Sequence, residues 1–433
     1  MLTKTAPEWA RSLARGECDR ELSALYPGEE GFREQYMLAL DAFSRFFGGQ
    51  RPLSFISAPG RTELGGNHTD HQRGRVLAAA VTLDIVAAVS PNEDSRVRIR
   101  SRGMPDVDID IKALDKIKEE EGTSAALVRG VAASLKGLGY HIGGFDAALV
   151  SSIPVGAGLS SSAAYEILIG TILSALYNGG EVDAVRLARA GHRAENVYFN
   201  KPCGMMDQTA CAEGGVVAID FIDPEKPAID RIALDLSASG YRLFITDAGG
   251  SHADLTDEYA AIPREMRAVA KALGGEVLRD VDEGAFYDKL PSIRKTAGDR
   301  AALRAMHFFA ENRRALEEAQ ALKNGDMARF AALMRESGAS SELLLQNIYP
   351  GDQGQERSVA FALAVSKRLL ENVGGAWRVH GGGFAGTIQA LVPNAFAEEY
   401  RKTMNRFMNN GAACRRVNIR PAGGYALNGG SKA

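Results

Sequence analysis

Apolar positions along the chain change period several times. Up to about residue 48, Leu13, Leu22, Leu25, Phe32, Tyr36, Leu38, Leu40, Phe43 and Phe47 recur at helical spacing, with a break at Pro27-Gly28. This predicts a helical lead-in packed on a sheet. Strand-like runs follow at Pro52–Pro59, at Val76–Val89, read as an apolar strand pair, and at the alternating segments Val97–Arg100 and Val107–Ile111. Helical spacing then covers Ala125–Leu138, Ala163–Tyr177 and Val182–Tyr198, with strands at Phe145–Val150 and Val216–Asp220. After Ser237-Ala238-Ser239-Gly240 the character changes: a strand at Tyr241–Asp247 precedes helices near Asp257–Leu273, Ala301–Leu322, Met327–Ser337 and Gln355–Asn372. A glycine turn and strand (Gly374–Val392), a helix over 394–409 and a strand at Arg415–Ile419 close the chain. The pattern predicts an α+β protein in two domains, 1–240 with a mixed sheet and 241–433 as a second α+β unit.

The densest local signal lies between the strand at Phe145–Val150 and the helix from Ala163. Ser151-Ser152-Ile153-Pro154-Val155-Gly156-Ala157-Gly158-Leu159-Ser160-Ser161-Ser162 is a glycine- and serine-rich turn opening a helix. Glycines let the backbone curl with its amides inward, and the helix adds free N–H groups and the positive end of its dipole. Such a turn suits an anion, above all phosphate; the competing explanation is plain helix capping by serine. No lysine follows the glycines, so the P-loop pattern fails, and Gly156-x-Gly158-x-x-Ser161 only approximates the dinucleotide fingerprint.

Two other stretches carry chemistry. Gly60-Arg61-Thr62-Glu63-Leu64-Gly65-Gly66-Asn67-His68-Thr69-Asp70-His71-Gln72-Arg73-Gly74 is expected to form a polar loop whose donors and acceptors converge on a polyhydroxylated ligand, against the alternative of a solvated connection. His68-x-x-His71 has no further histidine or cysteine pair beside it, which argues against a metal held by histidine. Asp207 stands among small and apolar residues in Pro202-Cys203-Gly204-Met205-Met206-Asp207-Gln208, where a carboxylate needs a partner. It is a candidate base or charge partner, with helix capping as the other reading.

Composition narrows the field. The chain has 433 residues, 45% hydrophobic and 24% charged, enough for two or three domains with cores, and a formal charge of −3 offers no general attraction to nucleic acid. The N-terminus lacks a signal-peptide apolar core and no run of about 18 apolar residues occurs, so a soluble cytoplasmic protein, with neither nucleic acid nor membrane as partner, is expected. The four cysteines, Cys18, Cys203, Cys211 and Cys414, are scattered and read as free thiols.

Taken in order, the motifs resemble the GHMP small-molecule kinases. The central turn resembles that superfamily's P-x-x-x-G-L-[SG]-S-S-A nucleotide motif, and Gly381-Gly382-Gly383-Phe384-Ala385-Gly386 its C-terminal motif. Within the superfamily the resemblance is closest to the galactokinase family: the first loop is similar to G-R-V-N-L-I-G-E-H-T-D-Y, Pro202–Gln208 to P-C-G-I-M-D-Q, and Ser251–Tyr259 to a later sugar-contacting stretch. The resemblance implies the two-domain fold of that superfamily, with a ferredoxin-like C-terminal domain and the active site in the interdomain cleft. It implies ATP-dependent phosphorylation of a monosaccharide, galactose above all, at its C1 hydroxyl; a monomer is expected, with an oligomer as the alternative.

By the same resemblance, Gly156, Ala157, Gly158, Leu159, Ser160, Ser161, Ser162 and Ala163 would cradle ATP, and Ser162 and Glu195 would hold Mg²⁺. Asp207 would take or orient the sugar hydroxyl proton beside Arg61. Asn67, His68, Asp70, Gly204 and Tyr259 would contact the sugar. Asn67 replaces the family's acidic residue, His71 its tyrosine, and Gly65-Gly66 its Ile-Gly. Loss of the acid at Asn67 brings a C6-altered sugar, such as galacturonate or arabinose, into view. A non-catalytic sugar sensor would be expected to carry damage in the phosphate turn, whereas Ser160–Ala164 is intact.

Overall fold

The computed structural model describes residues 4–101, 103–154, 158–249, 255–349, 357–384, 386–408 and 413–428. Among these, twelve strands and fourteen α-helices occur. The helical lead-in is α1 (Ala6–Ala14), α2 (Asp19–Leu25) and α3 (Phe32–Phe47). Then come β1 (Ser54–Gly65), β2 (Arg75–Pro91), β3 (Arg96–Ser101), β4 (Val107–Asp110), α4 (Ser124–Gly137), β5 (Phe145–Ser151), α5 (Ser161–Tyr177), α6 (Ala184–Arg193), α7 (Met206–Glu213), β6 (Val216–Asp220) and β7 (Ala228–Ile232). The remainder is β8 (Tyr241–Gly249), α8 (Thr256–Ala272), α9 (Glu283–Asp288), α10 (Leu290–Thr296), α11 (Asp299–Lys323), α12 (Met327–Ser340), α13 (Ser358–Leu370), β9 (Ala376–Val379), β10 (Gly386–Pro393), α14 (Ala397–Phe407), β11 (Cys414–Val417) and β12 (Tyr425–Ala426).

The strands form two sheets. The first runs β12-β1-β2-β5-β3-β4, with β6 and β7 continuing from β2; among the described residues β3 and β5 pair in parallel and the other pairs are antiparallel. The second runs β11-β8-β10-β9 and is antiparallel. The first sheet is covered on both faces: Ala87 and Val89 pack with α4 and α5, while Val86 and Ala88 pack with Trp9, Tyr36 and Phe43 of the lead-in helices. A strand buried on both sides reads as a continuous apolar run.

That run hid one expectation from view. Val76–Val89 is a single strand of 17 residues, not a strand pair. Its first half pairs with β6 and its second with β5, so each half has its own neighbour beyond β1. The polar Asp84 near its middle is neutralised inside the core, where it pairs with buried Arg420 and accepts from Tyr26 Oη at 2.6 Å. Similarly, β1 continues through Gly65 with two register shifts, so the first polar stretch is strand as far as Gly65 and a loop only beyond it. The second sheet spans 241–417, after which Ile419 bridges to Val81 and β12 adds to the edge of β1. No helix among the described residues is long and apolar enough to cross a membrane.

Candidate active site

Arg61 and Asp207 form the centre of the site. Arg61 points from β1, just after its first register shift, and Asp207 lies in the first turn of α7. The guanidinium meets the carboxylate in a fork, Nε to Oδ1 and Nη2 to Oδ2 both at 2.6 Å. Two parallel charge-assisted bonds fix direction as well as energy. Burial opposes ionisation of Asp207, but the Arg61 charge and its hydrogen bonds, with help from Ser160 Oγ, outweigh it and hold the carboxyl below its usual range. Arg61 keeps only 8% of its side chain exposed and Asp207 26%, so the carboxylate can be reached from outside while its partner cannot.

The glycine- and serine-rich turn sits against this pair. Arg61 also donates to Gly158 O and, from its backbone, to Leu159 O. Ser160 immediately precedes α5 in the left-handed region, φ 56°, a conformation that costs a non-glycine residue about 1–2 kcal/mol. Its hydroxyl goes to Asp207 instead of capping the helix, so among the described residues α5 begins without a side-chain cap. The amides of that first turn are left for an anion. Ser161 is exposed there, whereas Leu159 and Ala163 are buried in the core and offer only their backbone. Gly156 and Ala157 lie outside the described residues.

Ser162 and Glu195 come together from separate elements. Glu195 stands on Ala194–Tyr198, where α6 widens into one π-helical turn, a distortion common at functional positions. Its Oε1 accepts from Ser162 Oγ at 3.1 Å and from Lys201 Nζ at 3.1 Å. A hydroxyl and a carboxylate oxygen side by side fit a hard divalent ion that takes its remaining oxygens from phosphate and water. Behind them Glu166 of α5 is buried, and burial followed by the nearby Glu195 charge holds its carboxyl well above the ordinary range.

The expected sugar contacts converge on a different edge. Asp70 follows β1 by five residues, and its Oδ1 accepts from His71 N at 2.8 Å. Burial and the neighbouring Asp207 charge raise its carboxyl to about 6. Gly204 lies against it: a Cβ there would overlap the Asp70 carboxyl where it now sits. His68, φ 57°, shares a hydrogen bond at 3.0 Å with Gly382 O, and Tyr259 Oη donates to Gly383 O at 2.8 Å. Both are thereby tied to the C-terminal glycine motif, whose Phe384 is also left-handed and stacks edge-on with Tyr259. Residues 251–254, part of the stretch leading to Tyr259, are outside the described residues.

Asn67 is held elsewhere. Its Nδ2 donates to Glu63 Oε1 at 3.0 Å and Gly381 O at 2.8 Å, and its Oδ1 accepts from Ser341 Oγ at 3.2 Å and Asn347 Nδ2 at 3.0 Å. That uses the hydrogen-bonding capacity of a carboxamide within the protein, and the residue is fully buried. Glu63, which replaces the motif's asparagine, was not singled out from the sequence; it forms a buried ion pair with Arg378 and its carboxyl is raised by burial to about 7. The exchange of Asn and Glu within the quoted motif was the signal available. Gly65, in place of the motif's isoleucine, leaves space that the carboxyl of Glu318 occupies, and both Glu318 oxygens are buried with no hydrogen-bond partner among the described residues.

Comparison with known proteins adds to this geometry. Residues 41–91 match the family profile described as the galactokinase galactose-binding signature, and residues 125–215 match the GHMP kinases N terminal domain. The chain is 32% identical to a galactokinase of Streptomyces coelicolor over 87% of its own length and 90% of that protein's. It is 32% identical to a galactokinase of Glaesserella parasuis, covering 84% and 91%. In structure it resembles Lactococcus lactis galactokinase complexed with galactose, with TM-score 0.77 at 24% identity over 89% of this chain and 98% of that one. The fold is shared more distantly with Methanococcus jannaschii mevalonate kinase, TM-score 0.59 at 18% identity, covering 86% and 99%.

Proposed function

Because the chain belongs to the galactokinase family of GHMP kinases and is a sugar kinase, we propose that it transfers the terminal phosphoryl group of ATP to the C1 hydroxyl of galactose. The observation that carries this reading is the Arg61–Asp207 fork beside the uncapped start of α5. Phosphoryl transfer asks a protein mainly for positioning and charge stabilisation. Asp207, kept ionised, accepts a hydrogen bond from the sugar hydroxyl and receives its proton as the bond to phosphorus forms. Arg61 stays charged throughout and offsets negative charge on the phosphoryl oxygens.

The first-turn amides of α5, with Ser161 and Ser162, hold the ATP phosphates, and Gly156–Gly158 complete the cradle. Ser162 and Glu195 hold Mg²⁺, which when bound draws charge from the phosphate oxygens. His68, Asp70, Gly204 and Tyr259 bind the sugar, where buried hydrogen bonds to single hydroxyls discriminate strongly.

One observation supports a second reading. Asn67 stands where the motif has its acidic residue, so that position carries no charge to repel a charged C6 group, although the Glu63 carboxylate lies beside it. A C6-altered sugar such as galacturonate is then the acceptor. A coupled ADP-release assay over galactose, galacturonate, arabinose, glucose and N-acetylgalactosamine decides. Highest kcat/KM with galactose supports the first reading, and turnover confined to galacturonate supports the second.

A further inference from the structure

We propose that Gln208 is a positioning residue for the metal and nucleotide, its side-chain amide holding the Glu195 carboxylate in place by bridging it to buried Glu166. The inference rests on the kinase reading above. Gln208 is fully buried on α7, directly after Asp207. Its Nε2 donates to Glu195 Oε2 at 2.8 Å and to Glu166 Oε2 at 2.9 Å, so both amide hydrogens are spent on carboxyl oxygens.

The two oxygens of Glu195 therefore have separate duties. Oε2 faces inward, to Gln208 and to the Cys203 thiol at 3.2 Å, while Oε1 faces Ser162 and Lys201. Only Oε1 is on the side where a cation and the phosphates would be bound. Gln208 Oε1 and Glu166 Oε1 are buried with no hydrogen-bond partner among the described residues, so the single amide nitrogen makes the bridge. Three elements meet at it: α5, which begins at the phosphate turn, the π-helical turn carrying Glu195, and α7, which carries Asp207. A displacement of α7 would move the metal carboxylate together with Asp207.

Groups that orient a metal-binding side chain typically change metal affinity about 10–100-fold when removed. The test is calorimetric titration of the full-length protein with a non-hydrolysable ATP analogue, without metal and over a range of Mg²⁺. For Gln208→Leu the half-saturating Mg²⁺ is expected to rise at least ~10-fold, with metal-free nucleotide affinity within about twofold of the original. Glu166→Gln retains a carbonyl oxygen that can accept from Gln208 and should keep the original Mg²⁺ requirement, whereas Glu166→Leu should shift it as Gln208→Leu does. The Glu166 pair carries the test if Gln208→Leu does not fold.

An unchanged Mg²⁺ requirement in both leucine variants overturns the inference alone. So does an equal loss of metal-free and metal-supported binding, which is the signature of a merely structural role. If the unmodified protein binds the analogue with no dependence on Mg²⁺, the kinase reading falls and the inference with it.

Discussion

At the scale of single residues, the account turns on which buried charges have partners. Asp207 has a fork from Arg61 and remains ionised. Asp207→Asn removes the proton acceptor while keeping the side-chain shape, so kcat should fall about 10²–10⁴-fold with little change in the KM for ATP, measured by steady-state kinetics. Glu318 is the opposite case. Burial, then the nearby Glu311 charge, raises its carboxyl well above its ordinary 4.5, and neither oxygen has a hydrogen-bond partner among the described residues.

A raised carboxyl destabilises least below pH 4.5 and increasingly above it. Glu318→Leu should therefore stabilise the protein by about 1–3 kcal/mol at neutral pH and by less at pH 4, read from urea unfolding. Arg61 and Asp207 were singled out because each lies in a compact motif, but their pairing across 146 positions was expected only from the family resemblance. Glu318 was not: its setting depends on the missing side chain of Gly65, on a different element. The Glu63–Arg378 pair joins residues 315 positions apart, beyond the reach of any local pattern.

At the scale of elements, amphipathic helices were legible and doubly buried strands less so. Helices α11 and α12 fall close to their expected spans, since one polar face marks the period. In β2 both faces are covered and the period vanishes. The two-residue β12 carries too few positions to show alternation, and β7, mostly exposed, runs Ala-Ile-Asp-Arg-Ile without alternating. Asp84 of β2 is where the chain's return to the first sheet is secured. Arg420 pairs with it, and both side chains are fully buried. Arg420→Ala leaves that carboxylate without its charge partner and should cost about 3–5 kcal/mol of stability, seen as a lower midpoint in urea, with β12 the first segment to lose amide-exchange protection.

At the scale of the whole molecule, the two sheets meet through buried polar groups. Thr62 of β1 takes a hydrogen bond from Gln389 at 2.6 Å and pairs with His380 at 2.9 Å, while His307 holds Asn67 O at 2.9 Å. Burial depresses four histidines in this region: His68 to about 4 from 6.5, His71 and His380 well below it, and His307 below it. Each takes up a proton more readily when unfolded, so each contributes stability above pH 6.5 that is lost as pH falls through its folded value. His68→Gln removes its share of that loss, so between pH 6.5 and about 4 the unfolding free energy of the variant should fall less, relative to its own value at pH 7, than that of the unmodified protein in urea titrations at stepped pH.

The central claim concerns the sugar C1 hydroxyl, and the most direct test is phosphorus NMR of the product formed from galactose and ATP. One new phosphomonoester is expected, coupled to the anomeric proton, in equal amount to ADP and formed at least about 100-fold more slowly by Asp207→Asn. A phosphoester on any other carbon, or undiminished product from that variant, would contradict it.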